Sequence, residues 1–232
     1  MHLRAQTIAV GELTSAQRAA MFRLMDAHYA GVTEPQFLAD LQTKQWVILL
    51  SDAERLCGFS TQVMFDHLAD GRAVKVVFSG DTIIDRAHWG SLALPLAWGR
   101  LMLSLLAAHP GTEVYWLLTS KGYKTYRFLP VFFHEFTPCH THEASPLERN
   151  LLNSAATARF GARFDPATGI LRAQPGAQRL REGIAELDTQ RLADPHIAHF
   201  QKLNPGHRQG DELVCLARFH PDNVTEFIRR RF

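Results

Sequence analysis

Val74-Lys75-Val76-Val77-Phe78-Ser79-Gly80-Asp81-Thr82-Ile83-Ile84-Asp85-Arg86-Ala87-His88-Trp89-Gly90-Ser91-Leu92-Ala93 is the stretch on which the reading of the chain turns. Ala73 to Phe78 and Thr82 to Ile84 are β-branched and aromatic, and predict one strand. Ser79-Gly80-Asp81 breaks it in the middle. A glycine inside a strand marks a bulge or a close approach of backbone to another group. A short polar loop follows. Leu92 to Ala108 then predicts a helix that is apolar nearly all round and so is enclosed by protein. His109-Pro110-Gly111 ends it, and Glu113 to Leu118 is a strand again. Strand, loop, helix and strand form a right-handed crossover, which sets two strands parallel.

On the N-terminal side, residues 14–30 read as a helix with Thr14 and Ser15 as cap candidates, and Pro35 to Gln42 as a second. Trp46 to Leu50 and Leu56 to Phe65 form a hairpin over Ser51-Asp52-Ala53-Glu54-Arg55, and Asp70-Gly71 is a turn. An antiparallel hairpin beside a parallel crossover makes the sheet mixed. On the C-terminal side, Gly122 to Leu129 reads as a helix stopped by Pro130, and Val131 to Phe136 as an aromatic strand. Leu147 to Phe160, Gln178 to Leu192 and Ile197 to Leu203 read as helices, with a turn at residues 165–169. Glu212 to Phe219 is a strand, and Pro221 opens a final helix ending Arg229-Arg230-Arg231-Phe232. No repeat, low-complexity tract or linker interrupts the chain, which reads as a single domain, 1–232.

The composition narrows the function. The 232 residues carry 25 basic and 23 acidic groups, a net charge of +2. That field is too weak for a dedicated nucleic-acid binder. Cys57, Cys139 and Cys215 make no CxxC pair, and so sparse a count suits a reducing cytoplasm. Met1-His2-Leu3-Arg4 lacks an apolar signal core. The most apolar stretch, Ala87 to Ala108, is interrupted by Pro95, Gly99 and Arg100, so no membrane span is expected. Neither a Gly-x-Ser-x-Gly elbow nor a G-x-G-x-x-G or Walker loop is present.

With the strand at Val74–Ile84, its break at Ser79-Gly80-Asp81, the loop at Arg86–Ser91 and the strand at Tyr115-Trp116-Leu117-Leu118-Thr119-Ser120 in place, the chain resembles the GNAT acyltransferase superfamily. Gly122-Tyr123-Lys124-Thr125-Tyr126-Arg127-Phe128-Leu129 is similar to that family's short fourth helix. The resemblance implies an α/β fold: a mixed, mostly antiparallel sheet with a bulged fourth strand, a V-shaped splay between the fourth and fifth strands, and flanking helices. It implies an acyl thioester donor, coenzyme A or an acyl carrier protein, bound by Ile84, Arg86, His88, Trp89, Gly90 and Ser91. Free amides and the positive end of a helix attract phosphate there. Gly90 takes the place of the family's first loop glycine, and Leu92 stands where the second is usual. A carrier-protein donor would rely more on the pantetheine slot than on those nucleotide contacts.

The resemblance covers about residues 1–138, the core. Residues 139–211 form a helical insertion, placed over the acceptor or acyl-chain site, and 212–232 a final strand and helix. The implied activity is N-acylation of an amine on a small molecule, amino acid or peptide side chain. Such an amine must lose a proton before it attacks, and the departing thiolate needs a proton or hydrogen bond. Asp81, beside the break, is the candidate base. Tyr126 sits where the resemblance places the sulfur's donor, with Tyr123 its competitor one turn earlier. The leucines from Leu92 to Leu106 line either a tunnel for a longer acyl chain or a two-sided core. Cys139-His140-Thr141-His142-Glu143 is the one cluster of metal-ligand type, but its spacing matches no zinc signature, and no metal is expected. Two further readings stay open: a GNAT-like domain that binds a thioester or a protein without turnover, and a metal-dependent hydrolase built on the His/Cys cluster. The 12 histidines otherwise scatter, with His88, His134, His140 and His142 near the expected site.

Overall fold

The computed structural model describes residues 3–53, 55–184 and 186–231. Eight strands form one sheet in the order β1-β3-β4-β5-β6-β10-β8-β7. They are β1 (Arg4–Ala9), β3 (Trp46–Asp52), β4 (Arg55–Ala69), β5 (Arg72–Ile84), β6 (Val114–Ser120), β7 (Phe164–Asp165), β8 (Ile170–Leu171) and β10 (Glu212–Arg218). A separate two-stranded ribbon joins β2 (Tyr29–Ala30) to β9 (Arg179–Leu180). The helices are α1 (Ser15–His28), α2 (Glu34–Gln42), α3 (Ala93–Ala108), α4 (Tyr123–Tyr126), α5 (Phe128–Phe132), α6 (Pro146–Phe160), α7 (Thr189–Leu192), α8 (Pro195–Leu203) and α9 (Glu226–Arg229). All named pairings are antiparallel except β5 with β6, the expected parallel pair. The sheet is mixed and mostly antiparallel, its fourth member, β5, is bulged, and helices flank it, as the resemblance implies.

Alternation sorts the side chains onto two faces. Ile48, Leu50, Val77, Trp116 and Leu118 pack with α3 around Trp98 and Met102. On the other face Val47, Leu49, Phe59 and Ile83 pack with α1 and α2, and Val76, Phe78 and Leu117 with α6. α1 begins as the sequence predicts, with Thr14 and Gln17 closing a capping box, and α6 with the same device at Ser145 and Glu148. Each box satisfies amides that the first turn leaves without partners.

Several expectations are corrected. β1, which the sequence reading does not anticipate, pairs with β3 along its whole length. The strand at residues 73–84 is unbroken, its middle being a bulge. Pro130 does not stop a helix; it lies in the first turn of α5, where a missing N–H costs no hydrogen bond. Val131–Phe136 is not a strand, because β10 takes the free edge of β6 and leaves this segment, among the described residues, only the bridge from Phe133 to Val224. Its aromatics serve the core around Trp98 and Trp116 instead.

The insertion is not purely helical, since it adds β7 and β8 to the main sheet. Gln178–Leu192 is helical only in its last turn, Thr189–Leu192; before it β9 pairs with β2, Arg181 N donates to His28 O, and Gly183 takes φ +76°, with Ala185 outside the described residues. Tertiary pairing there overrides a helical spacing of Leu180, Ile184 and Leu187. The last helix is one turn, because Asn223 first bonds the backbone of Glu135 and Arg218 and holds residues 221–223 in a turn. Glu54 of the first hairpin turn, His2 at the N-terminus and Phe232 of that final helix lie outside the described residues.

Candidate functional site

The site begins at the bulge. β4 and β5 pair regularly to Gln62–Ser79 and resume at Ser60–Thr82, so β5 spends one extra residue at Gly80-Asp81. Phe78 faces Val63 and Ile83 faces Phe59 across the ladder. Val63 and Phe59 share a face, so Phe78 and Ile83, five residues apart, do too. Only the extra residue makes that parity possible. The β5–β6 ladder ends at Ser79–Leu118, although both strands run on. Beyond that pair the fourth and fifth strands of the sheet are splayed, as expected.

Gly80 is required by proximity. A Cβ there would lie 2.6 Å from Thr61 Oγ1 and 2.8 Å from Lys44 Cε. Beneath the bulge runs a chain of polar groups. Trp116 Nε1 donates to Ser79 Oγ (2.8 Å), Ser79 Oγ to Gln62 Oε1 (2.5 Å), and Gln62 Nε2 to Ser60 Oγ (2.8 Å). Ser60 Oγ meets Thr82 Oγ1 at 2.8 Å, and Thr82 reaches the Gly80 carbonyl. A satisfied buried network of this kind holds its members in one arrangement, and here it clamps both ends of the bulge.

A cleft of about 900 Å³ opens at the splay. Its walls include Trp89, Pro95 and Phe128 on the α3 face and Phe37, Asp40 and Arg159 on the α1/α2/α6 face, so it runs through the sheet. Asp81 lies at the crossing. Burial, and then the carboxylate of Asp40, push its pKa up to about 6, against the pull of Lys121 and Lys44. Two ion pairs flank it: Lys44 with Asp40 (2.6 Å) and Lys121 with Glu212 (2.6 Å). Among the described residues Asp81 itself has no cation within ion-pair distance. Tyr29 lines the same cleft, its hydroxyl kept protonated by burial and by the carboxylates of Asp81 and Glu212. A small side pocket of about 30 Å³ lies under the bulge, floored by Trp98 and Trp116 and bounded by Leu94 and Phe128.

The loop from β5 to α3 forms the other end. His88, Trp89 and Ser91 donate their amides to Asp85, Arg86 and His88 carbonyls, and Ala93 donates to Ser91 Oγ. Among the described residues the amides of Gly90, Leu92 and Leu94 meet no acceptor. Gly90 takes φ +90°, open to glycine without strain. Trp89 is pinned by Nε1 to Ile84 O (2.9 Å), and Lys124 Nζ sits 2.8 Å from its ring centroid. Burial, with the charges of Arg191 and Arg86, lowers the Lys124 pKa to about 8.

Of the residues expected at the site, Asp81, Ile84, Trp89, Gly90 and Ser91 line the cleft. Arg86 does not; its guanidinium turns to Gly183 O and stacks on Trp89. His88 lies in the loop outside the lining. Tyr126 lies outside the cleft lining: it is fully buried, and its hydroxyl donates to Pro138 O (2.8 Å) among Phe136 and Phe200. Tyr123 lines the cleft, but the groups that act on its hydroxyl are Arg191, Asp188 and Arg127, away from the bulge.

His140 packs on His196 (4.3 Å between rings) and nears His199 (6.3 Å), while Phe136 separates His142 from His196. Among the described residues no three His, Cys, Asp or Glu side chains are arranged to hold a metal ion. Of the leucines from Leu92 to Leu106, Leu94, Leu101 and Leu105 are buried in the core and Leu103 is exposed, while Leu92 borders the cleft and Leu94 the side pocket. Lys44, Lys121, Lys124 and Glu212 were not anticipated. Each is a single charged residue in or beside an element, where the apolar periodicity that marks strands and helices does not single it out.

No protein-family model matches the chain, and no curated protein matches it. Solved structures do. A protein of unknown function from Enterococcus faecalis V583, described as "Probable N-Acyltransferase", is 13% identical with a TM-score of 0.45. The match covers 59% of this chain and 33% of that one, so the chain spans about a third of its length. Escherichia coli ElaA is 18% identical with a TM-score of 0.40, over 62% of this chain and 95% of that chain. A GCN5-related N-acetyltransferase from Kribbella flavida is 14% identical with a TM-score of 0.41, over 58% and 34%. Likeness at this level concerns backbone course and assigns neither residue nor substrate. Among the described residues no helix is long and apolar enough to cross a membrane.

Proposed function

We propose that the protein is an N-acyltransferase that moves a short acyl group from acyl-coenzyme A to an amine. The observation that carries this is the meeting, in one cleft through the sheet, of a splay, a carboxylate with a pKa of about 6 and a row of amides at the start of α3 that have no acceptor among the described residues. Gly90, Leu92 and Leu94 amides, with the start of the 16-residue α3 and the Lys124 ammonium, make a site for the donor's pyrophosphate. Past Ser79 the edge of β5 is not met by β6, which leaves room for the amide-rich pantetheine arm. The thioester then lies at the bulge. Asp81 takes a proton from the ammonium, the amine nitrogen attacks the thioester carbonyl, and the carbon–sulfur bond breaks to release the thiolate. Lys124 supplies positive charge to the donor's pyrophosphate; the attacking nitrogen gives its second proton to solvent as the carbonyl re-forms, and the thiolate takes a proton from solvent. Holding both partners in one frame supplies much of the acceleration.

The test is thiol release from acetyl-coenzyme A with and without added amines. Amine-stimulated release is expected; saturable donor binding without release would make this a binding domain instead.

The 30 Å³ pocket has room for a methyl group and little more. Acetyl donors should therefore exceed octanoyl donors by at least about tenfold in kcat/KM, a difference of ~1.4 kcal/mol. Phe128→Ala should shift the optimum toward longer chains. An octanoyl preference in the parent protein would remove the pocket from the mechanism. Tyr126→Phe should leave kcat within about twofold, while exposing the Pro138 carbonyl to an unmet demand of ~1–3 kcal/mol, read as a lower urea midpoint. A large fall in kcat at unchanged stability would return Tyr126 to the reaction.

A further inference from the structure

The cations that wall the cleft are not equivalent. Lys44 is matched by Asp40, Lys121 by Glu212 and Arg127 by Asp194, while Lys124 donates to the Ile184 carbonyl. Arg159 and Arg163 differ. Arg159 stands in the last turn of α6, its guanidinium 5.1 Å from the centroid of Phe78. Its Nε is shut off from solvent and meets no acceptor. Arg163 follows four residues later on the same wall. Among the described residues neither guanidinium has a carboxylate within ion-pair distance.

Their place in the fold gives them a role. α6 lies on the face opposite α3, so these groups are across the sheet from the loop amides and on the acceptor's side of Asp81. Phe78, under Arg159, is three residues before Asp81 on β5. At ~3.3 Å per residue that sets the two points no more than about 10 Å apart. A guanidinium presents its donors as a planar fork that fits a carboxylate or phosphate with two bonds at once, and stacking on an aromatic ring holds that plane. Arg159 is half-buried with its Nε closed off from water, and Arg163 is exposed; a donor shut off from water without a partner costs free energy until an acceptor arrives.

We propose that the acceptor is a primary amine that also carries a carboxylate or phosphate, and that Arg159 and Arg163, on the acceptor's side of the cleft, bind that anion. This rests on the acyl-transfer reading above and names its substrate class. The insertion, which supplies both arginines, thereby becomes the specificity element of the site.

The experiment compares matched amines at saturating acetyl-coenzyme A: phosphoethanolamine against ethanolamine, and γ-aminobutyrate against butylamine. The two pairs separate phosphate from carboxylate. In the parent protein the anionic member of at least one pair should be favoured about tenfold or more in kcat/KM, chiefly through KM. In Arg159→Gln and Arg163→Gln that ratio should fall toward one. Equal use of neutral and anionic amines by the parent would overturn the proposal. So would a variant whose KM rises for acetyl-coenzyme A and not for the amine, since the guanidinium would then serve the donor. Calorimetric titration of each amine keeps this independent of turnover. If no amine stimulates thiol release, the transferase reading falls. Binding of an anionic amine that is lost in Arg159→Gln would still support the anion site, and no such binding in the parent would overturn it.

Discussion

Asp81→Asn should lower kcat/KM by about 10²–10⁴-fold, the usual contribution of a positioned general base, while the protein becomes more stable at neutral pH. The parent's kcat/KM should rise with pH through an apparent pKa of about 6 and fall below it, as the carboxylate is protonated. That limb should be missing in the variant. The stability effect has the opposite sign from that of an ordinary paired aspartate. Asp81 is raised from 3.8 to about 6 in the fold, so between those values the folded chain holds a proton that the unfolded chain has released. Stabilisation from this group is complete below pH ~3.8 and is lost as pH rises to about 6. At pH 7–8 the ionised carboxylate therefore destabilises the native state, by ~1–3 kcal/mol after allowance for its partial contact with solvent. Asparagine keeps the shape without the charge. For a chain of this length the gain corresponds to a Tm higher by several degrees. Thermal melts at pH 4.5 and pH 8 check it: the difference between variant and parent should be full at pH 8 and fall to about a third of that at pH 4.5. Retained activity with an unchanged pH profile would take Asp81 out of the reaction.

Gly80→Ala should cost ~1–3 kcal/mol of stability and more than tenfold in kcat/KM. The substituent has nowhere to go. Lys44 Cε and Thr61 Oγ1 would lie within 2.8 Å of the new carbon. The Lys44 side chain is only 1% exposed and is tied to Asp40 at 2.6 Å, so it cannot swing aside freely. Strand β5 must move instead, and Asp81 is the next residue along it. Urea midpoints and kcat/KM measure the two parts. Shortening the obstacle supplies the control: Lys44→Ala in the Gly80→Ala background should recover part of the lost stability relative to Lys44→Ala alone. If the two substitutions simply add, the close approach does not govern the bulge, because independent sites are additive and contacting ones are not.

Much of this architecture was legible before any coordinates. The hairpin from Trp46, the strand through Val77, the helix from Leu92 and the strand at Tyr115 announce themselves through apolar runs and their punctuation. The glycine at position 80 marks the bulge. Local spacing failed where long-range pairing decided. Arg4–Ala9 has too little apolar character to read as a strand, yet β3 gives it a full ladder. Gln178–Leu192 has helical spacing, yet Tyr29 and Ala30 pull its start into a ribbon. At the site Asp81 stands out in the sequence because it adjoins an irregularity. Tyr126 misled because a tyrosine on the right helix says nothing of which way its hydroxyl is drawn, and here the Pro138 carbonyl draws it into the core.

By itself, then, the sequence determined the sheet's central strands, the bulge and the carboxylate beside it, because these follow from local geometry: side-chain period, glycine in a strand, the order of elements. Only the tertiary structure decided which charges surround that carboxylate. Lys44, Lys121, Glu212 and Arg159 come from four separate elements. Their pairing, and the absence of a carboxylate beside Arg159, is set by how α2, β6, β10 and α6 pack across the splay. Electrostatic environment depends on distance in space and on exclusion of water, neither of which is written in spacing along the chain.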